Sequence, residues 1–145
     1  AIRTVCEAFG PDASAQAGSP IEFNDYLEQI GEKNRLQAYR GNRFNVPFEN
    51  GAAVYFHHHS GHIREAHKTL TSNKQKNQLT RSVMYDLEDK IVVGGIRAMG
   101  IINSHITLPL MRMLDKHEIS VLDTSKYYSR LHECVKKWMT DPQSP

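Results

Sequence analysis

Apolar residues recur at helical spacing along nearly the whole chain. Ile2, Val5, Cys6 and Phe9 follow an i, i+3, i+4, i+7 pattern that stops at Gly10-Pro11, which predicts a short first helix. Small residues from 11 to 18 read as a loop. Ser19-Pro20-Ile21-Glu22 predicts the next helix start, with a capping box and proline at the first helical position. Phe23, Tyr26, Leu27 and Ile30 then form one apolar face, and Gly31 stands where a C-terminal glycine belongs.

The segment from Arg35 to Phe48 has no helical stripe and holds turn formers and Pro47, so it reads as a loop or a short extended stretch. Helical spacing returns at Phe48, Ala52, Ala53, Tyr55 and Phe56, is interrupted at Ser60-Gly61, and continues through Ile63, Ala66 and Leu70. Residues 71–78 are polar and read as an exposed loop. Leu79, Val83, Met84 and Leu87 start another stripe, extended by Ile91, Val92, Ile96, Met99, Ile102 and Ile106. Gly94-Gly95 lies inside it. A glycine in a helix interior costs roughly 1 kcal/mol, so the pair predicts a bend or a close helix contact. Pro109 starts or kinks a segment from Leu108 to Leu114. Asp123 or Thr124 caps a last helix carrying Tyr127, Tyr128, Leu131, Val135 and Trp138. The expected fold is all-α, a bundle of six or seven short helices in a single domain spanning 1–145. The stretch from Leu79 to Ile106 is expected at its centre, with the segment around Phe44 lying against the core.

Composition narrows the classes without choosing one. With 145 residues the chain holds one domain and hardly two. Two cysteines, Cys6 and Cys134, exclude a disulfide scaffold and a four-thiolate zinc site. No uninterrupted apolar run approaches the length of a membrane span, and no signal peptide is visible, so an intracellular location, nuclear or cytoplasmic, is expected. The formal charge is +2, which commits to no partner.

Three constellations could carry chemistry. His57-His58-His59-Ser60-Gly61-His62, followed by His67, is the most conspicuous. On a continuous helix His58 and His62 would share a face, with His59 or His67 as a third zinc ligand. Gly61 falls inside that spacing and the glutamate of HExxH is missing, so a polar helix end is favoured and neither metal nor cofactor is expected. Cys134 lies near His132, Lys136 and Lys137, but residues two apart on a helix diverge; it is expected to be a buried structural cysteine on the Leu131-Val135 side. Asp86, Glu88 and Asp89 read as a solvated acidic patch on one helix. Phosphate-cradling loops and nucleophile elbows are absent from the sequence, and no paired carboxylates suggest catalysis.

The third constellation is basic. Arg64, Lys68, Lys74, Lys76 and Arg81 stand against Glu65 alone, a charge excess that can attract phosphates. The competing reading is a solvated connector. No aromatic residue is interleaved, so any nucleic-acid contact there should be insensitive to sequence.

Two blocks resemble a known family. The run from Arg40 to Tyr55, built around Gly41-Asn42-Arg43-Phe44-Asn45, with Phe48, Ala52 and Val54-Tyr55, is similar to a block in vertebrate proteins derived from hAT-family transposases. Arg97-Ala98-Met99-Gly100-Ile101-Ile102-Asn103-Ser104-His105-Ile106-Thr107-Leu108-Pro109-Leu110 resembles a second block in the expected order, and Phe23-Asn24-Asp25-Tyr26-Leu27 precedes both. The resemblance implies an interior piece of a transposase-like protein, corresponding to the helical insertion of an RNase H-like core. No residue here matches the family's catalytic acidic triad, so no catalytic activity of its own is expected. Arg43-Phe44-Asn45 stands where many members carry arginine-tryptophan-asparagine, which implies packing at the junction of core and insertion. The function implied is DNA binding or assembly; the alternative is a helical protein-interaction module with no nucleic-acid role.

Overall fold

A computed structural model describes residues 1–40, 45–72, 78–115 and 124–141, of which 71 and 72 are described as backbone only. Every regular element among them is helical, and no strand is present among the described residues. The elements are α1 (Ile2–Phe9), α2 (Pro20–Gln29), α3 (Val46–His59), α4 (His62–Ser72), α5 (Gln78–Glu88), α6 (Lys90–Ile102), a π-turn (Asn103–Thr107), α7 (Leu108–Asp115) and α8 (Thr124–Thr140). By contacts the chain divides into two compact units, Ala1–Ser104 and His105–Pro145.

The first unit holds the core. Val5, Cys6, Ala8 and Phe9 of α1 meet Phe23 and Leu27 of α2, Ala53 and Val54 of α3, Ile63, Ala66 and Leu70 of α4, Val83 and Leu87 of α5, and Ile96 of α6. Phe9 and Phe23 are fully buried with ring centroids 4.9 Å apart. Burying each such side chain contributes about 1.5–3 kcal/mol, so these rings anchor α1 to α2. Leu36 is buried and Tyr39 packs on the same cluster, so the described part of the irregular segment does lie against the core. Its continuation at Gly41, Asn42, Arg43 and Phe44 lies outside the described residues.

Helix ends follow their local chemistry, with two corrections. Gly31 has φ +72°, which glycine adopts without steric cost. Its N–H donates to the Glu28 carbonyl (3.0 Å) and the Glu32 N–H to the Leu27 carbonyl (2.9 Å), closing α2 with a Schellman motif. The capping box at Ser19 does not form: the Ser19 side chain makes no cap hydrogen bond. Ser19 is buried, and its N–H donates instead to the Ala8 carbonyl (2.8 Å), tying the start of α2 to α1.

The second correction concerns the expected central stretch, which divides at Asp89. That residue is extended, and its side chain accepts from the Ile91 N–H (2.8 Å), so it caps α6 rather than continuing α5. The acidic patch therefore spans a break, with Asp86 and Glu88 on α5 and Asp89 capping α6. Centrally, α6 packs along α3. Their backbones approach closely at Gly51 and Gly100. A Cβ on Gly100 would stand 3.1 Å from the Ala52 Cα, and one on Gly51 would stand 2.9 Å from the Met99 Cβ.

Consecutive helical residues Lys90–Asp115 are long and apolar enough to cross a bilayer by length and composition, with mean hydropathy 1.4 over their most apolar window. This amends the sequence-based exclusion, which considered only uninterrupted apolar runs. One such helix is weak grounds for a span, and Arg97 and Arg112 both fall within it.

Candidate functional site

The histidine run is broken where its spacing mattered. Gly61 takes φ +78°, so α3 ends at His59 and α4 begins at His62. His58 and His62 therefore do not share one helical face. The corner instead joins His57 to His62, with Nδ1 atoms 3.1 Å apart.

His57 is fully buried, and its Nε2 accepts the Arg35 backbone N–H (3.1 Å). In the neutral ring an accepting Nε2 leaves the proton on Nδ1, so His57 donates to His62 Nδ1 and His62 carries its proton on Nε2. Phe23 and Phe56 present ring edges around His57 at 5.4 and 5.2 Å between centroids. The Arg35 guanidinium lies over the Phe56 ring, 3.5 Å from its centroid. Burial first, then the neighbouring His62 and Arg35, push the His57 pKa down to about 4. The pair is thus a neutral internal clamp that pins the irregular segment to the α3–α4 corner. Asn50 adds a second pin, its Oδ1 accepting the Gln37 N–H (2.8 Å) while its buried Nδ2 has no partner among the described residues.

Neither His59 nor His58 joins this pair. His59 stacks on Tyr55 at 5.7 Å, and His58 is half-buried with its pKa lowered by burial and by Arg64. His67 lies a turn further along α4 and is half-buried. Among the described residues no group of three or more His, Cys, Asp or Glu is gathered to hold a metal ion. Sequence spacing pointed to His58 because it assumed one continuous helix. The clue to His57 was Gly61, whose left-handed turn reverses the chain and favours an i, i+5 pair.

Three members of the basic constellation are described. Arg64 and Lys68 are exposed on α4, and Lys68 Nζ pairs with Glu65 Oε1 at 2.7 Å. Arg81 is exposed on α5. Lys74 and Lys76 lie outside the described residues. Of the Arg43-Phe44-Asn45 motif only Asn45 is described; it stands at the N-cap of α3, half-buried and without a side-chain cap. Cys134 is exposed, which overturns the expected buried role, because α8 contains no buried residue; Cys6 is the buried thiol.

A surface that spacing did not single out lies on α6. Ile91, Gly94, Gly95, Ala98, Ile101 and Ile102 are all exposed and fall on one helical stripe, with Ile91 85% and Ile101 45% exposed. A Cβ added at Gly94 or Gly95 would meet nothing within 4 Å. The expected close contact at these glycines is therefore absent within the described residues, and α6 runs through them from Lys90 to Ile102. Tyr85 on α5 is 78% exposed as well.

No protein-family model matches the chain, and neither a curated protein nor a solved structure does.

Proposed function

We propose that the chain is a non-catalytic helical domain of a hAT transposase-like protein that serves assembly, with the exposed stripe of α6 as the docking face. The open space over Gly94 and Gly95 carries this reading. Two interior glycines destabilise a helix by roughly 1 kcal/mol each, and nothing within the described residues uses the room they leave. Small residues flanked by Ile91, Ile101 and Ile102 form a shallow apolar channel that accepts another helix at close range. The occupant we propose is the same stripe of a second copy, packed about a two-fold axis, since a self-complementary face makes a closed dimer. Sedimentation velocity over a range of protein concentrations tests it. A monomer–dimer equilibrium abolished by Ala98→Glu is expected; a monomer at every concentration would contradict the reading.

A second reading, contact with DNA, has its own support. Arg64 and Arg81 are exposed and enter no ion pair among the described residues. Such cations release counterions on meeting phosphate, so a DNA affinity that falls with salt would mark this role. The proposed location is nuclear or cytoplasmic.

A further inference from the structure

The second unit contains a cleft whose lining defines a ligand. Ile106, Leu110 and Met113 wall one side, and Tyr127, Leu131 and Trp138 of α8 wall the other, around a cavity of about 310 Å³. Neither α7 nor α8 has a buried residue, so this apolar lining is left uncovered. The volume is at the lower end of what small-molecule pockets offer.

Charge then selects the occupant. Among the described residues Arg130 is the single formally charged side chain in the lining, and none of the lining residues is a carboxylate. Arg130 is exposed and enters no ion pair among the described residues. Glu133 and Lys137 follow it at i+3 and i+7 along the same side of α8, and neither lines the cavity. An apolar cleft with a guanidinium at its rim is complementary to an amphipathic monoanion, because arginine meets a carboxylate through two parallel hydrogen bonds.

We propose that this cleft binds a small carboxylate with an apolar body, such as a medium-chain fatty acid, with Arg130 holding the carboxylate and Leu131, Met113 and Trp138 enclosing the chain. Trp138 is the sole tryptophan of the protein, and its ring meets His105 edge-on at 5.8 Å, so its fluorescence reports the cleft alone. Cys134 also lines the cavity and reports it chemically.

The test uses the full chain and sodium decanoate below its micelle concentration, with decanol as the neutral counterpart. Saturable change of Trp138 fluorescence by decanoate is expected, with decanol at least tenfold weaker. Decanoate should also slow alkylation of Cys134, and Arg130→Met should weaken decanoate binding at least tenfold while its circular dichroism is unchanged. Equal binding of decanol and decanoate would overturn the proposal, and so would an Arg130→Met variant with undiminished affinity. The decanol comparison stands even if Arg130→Met does not fold. Concentration-dependent shielding of Trp138 and Cys134 without decanoate would place a second copy in the cleft and overturn it as well.

Discussion

His57 and His62 face each other through their Nδ1 atoms at 3.1 Å, and with the Arg35 N–H on His57 Nε2 the shared proton belongs to His57 Nδ1. Protonation of His57 would set a second N–H, on Nε2, against the Arg35 N–H. The depressed His57 pKa of about 4, against 6.5 for an ordinary histidine, has its largest cause in burial.

Mild acid should therefore loosen the domain through His57. Between pH 6.5 and about 4 the unfolded chain takes up a proton that folded His57 refuses, so its contribution is full above 6.5 and lost as pH falls. At 1.36 kcal/mol per unit, the loss by pH 5 is about 2 kcal/mol. His58 shifts in the same direction and adds to it. Urea unfolding at pH 7 and pH 5 measures this, and His57→Gln should shrink the difference between the two.

The same substitution should have opposite signs at two glycines. Gly51→Ala drives a methyl to within 2.9 Å of the Met99 Cβ in the α3–α6 crossing, and overpacking of this kind costs about 1–3 kcal/mol. Gly94→Ala meets open space and gains helix propensity, stabilising by about 0.5–1 kcal/mol. Thermal denaturation of the two variants beside the wild type decides it; two shifts of the same sign would contradict the packing described.

The thiols should separate by accessibility. Cys6 is buried and its thiol is pushed up to about 12 by burial, whereas Cys134 is exposed. A disulfide reagent should label one thiol in the native protein and the second only in denaturant. Labelling of both under native conditions would mean that α1 opens readily from the core.

If the domain meets DNA, Arg64→Gln with Arg81→Gln should remove about two phosphate contacts and flatten the log–log salt slope by roughly 2 units. Titration of a labelled duplex at several salt concentrations measures the slope. No change in slope or affinity would identify α4 and α5 as solvated faces.

The helices were legible because their buried positions keep a 3.6-residue period: Val5, Cys6 and Phe9, or Ile63, Ala66 and Leu70, are both the stripe and the core. Glycines at helix ends were legible as well, since Gly31 needs a left-handed backbone. Failures came where a residue type has several uses. Ser19 could cap or be buried, and tertiary packing against the Ala8 carbonyl chose burial. Asp89 looked like a solvated charge yet caps α6. The histidine pair was hidden because its members belong to different helices, and Arg35, which fixes its tautomer, is 22 positions from His57. Gly94 and Gly95 announced a need for space, but only the three-dimensional structure shows that the space is on the outside.

The most direct measurement of the assembly claim combines sedimentation and melting on one double variant, Gly94→Gln with Gly95→Gln. Both glycines face open space, so the variant should melt higher than the wild type when each is dilute enough to be monomeric. The same side chains should fill the channel on α6 and abolish the dimer at high concentration. A variant that is more stable and monomeric is the predicted result. A variant that dimerises as well as the wild type would show that the α6 stripe is not the assembly face.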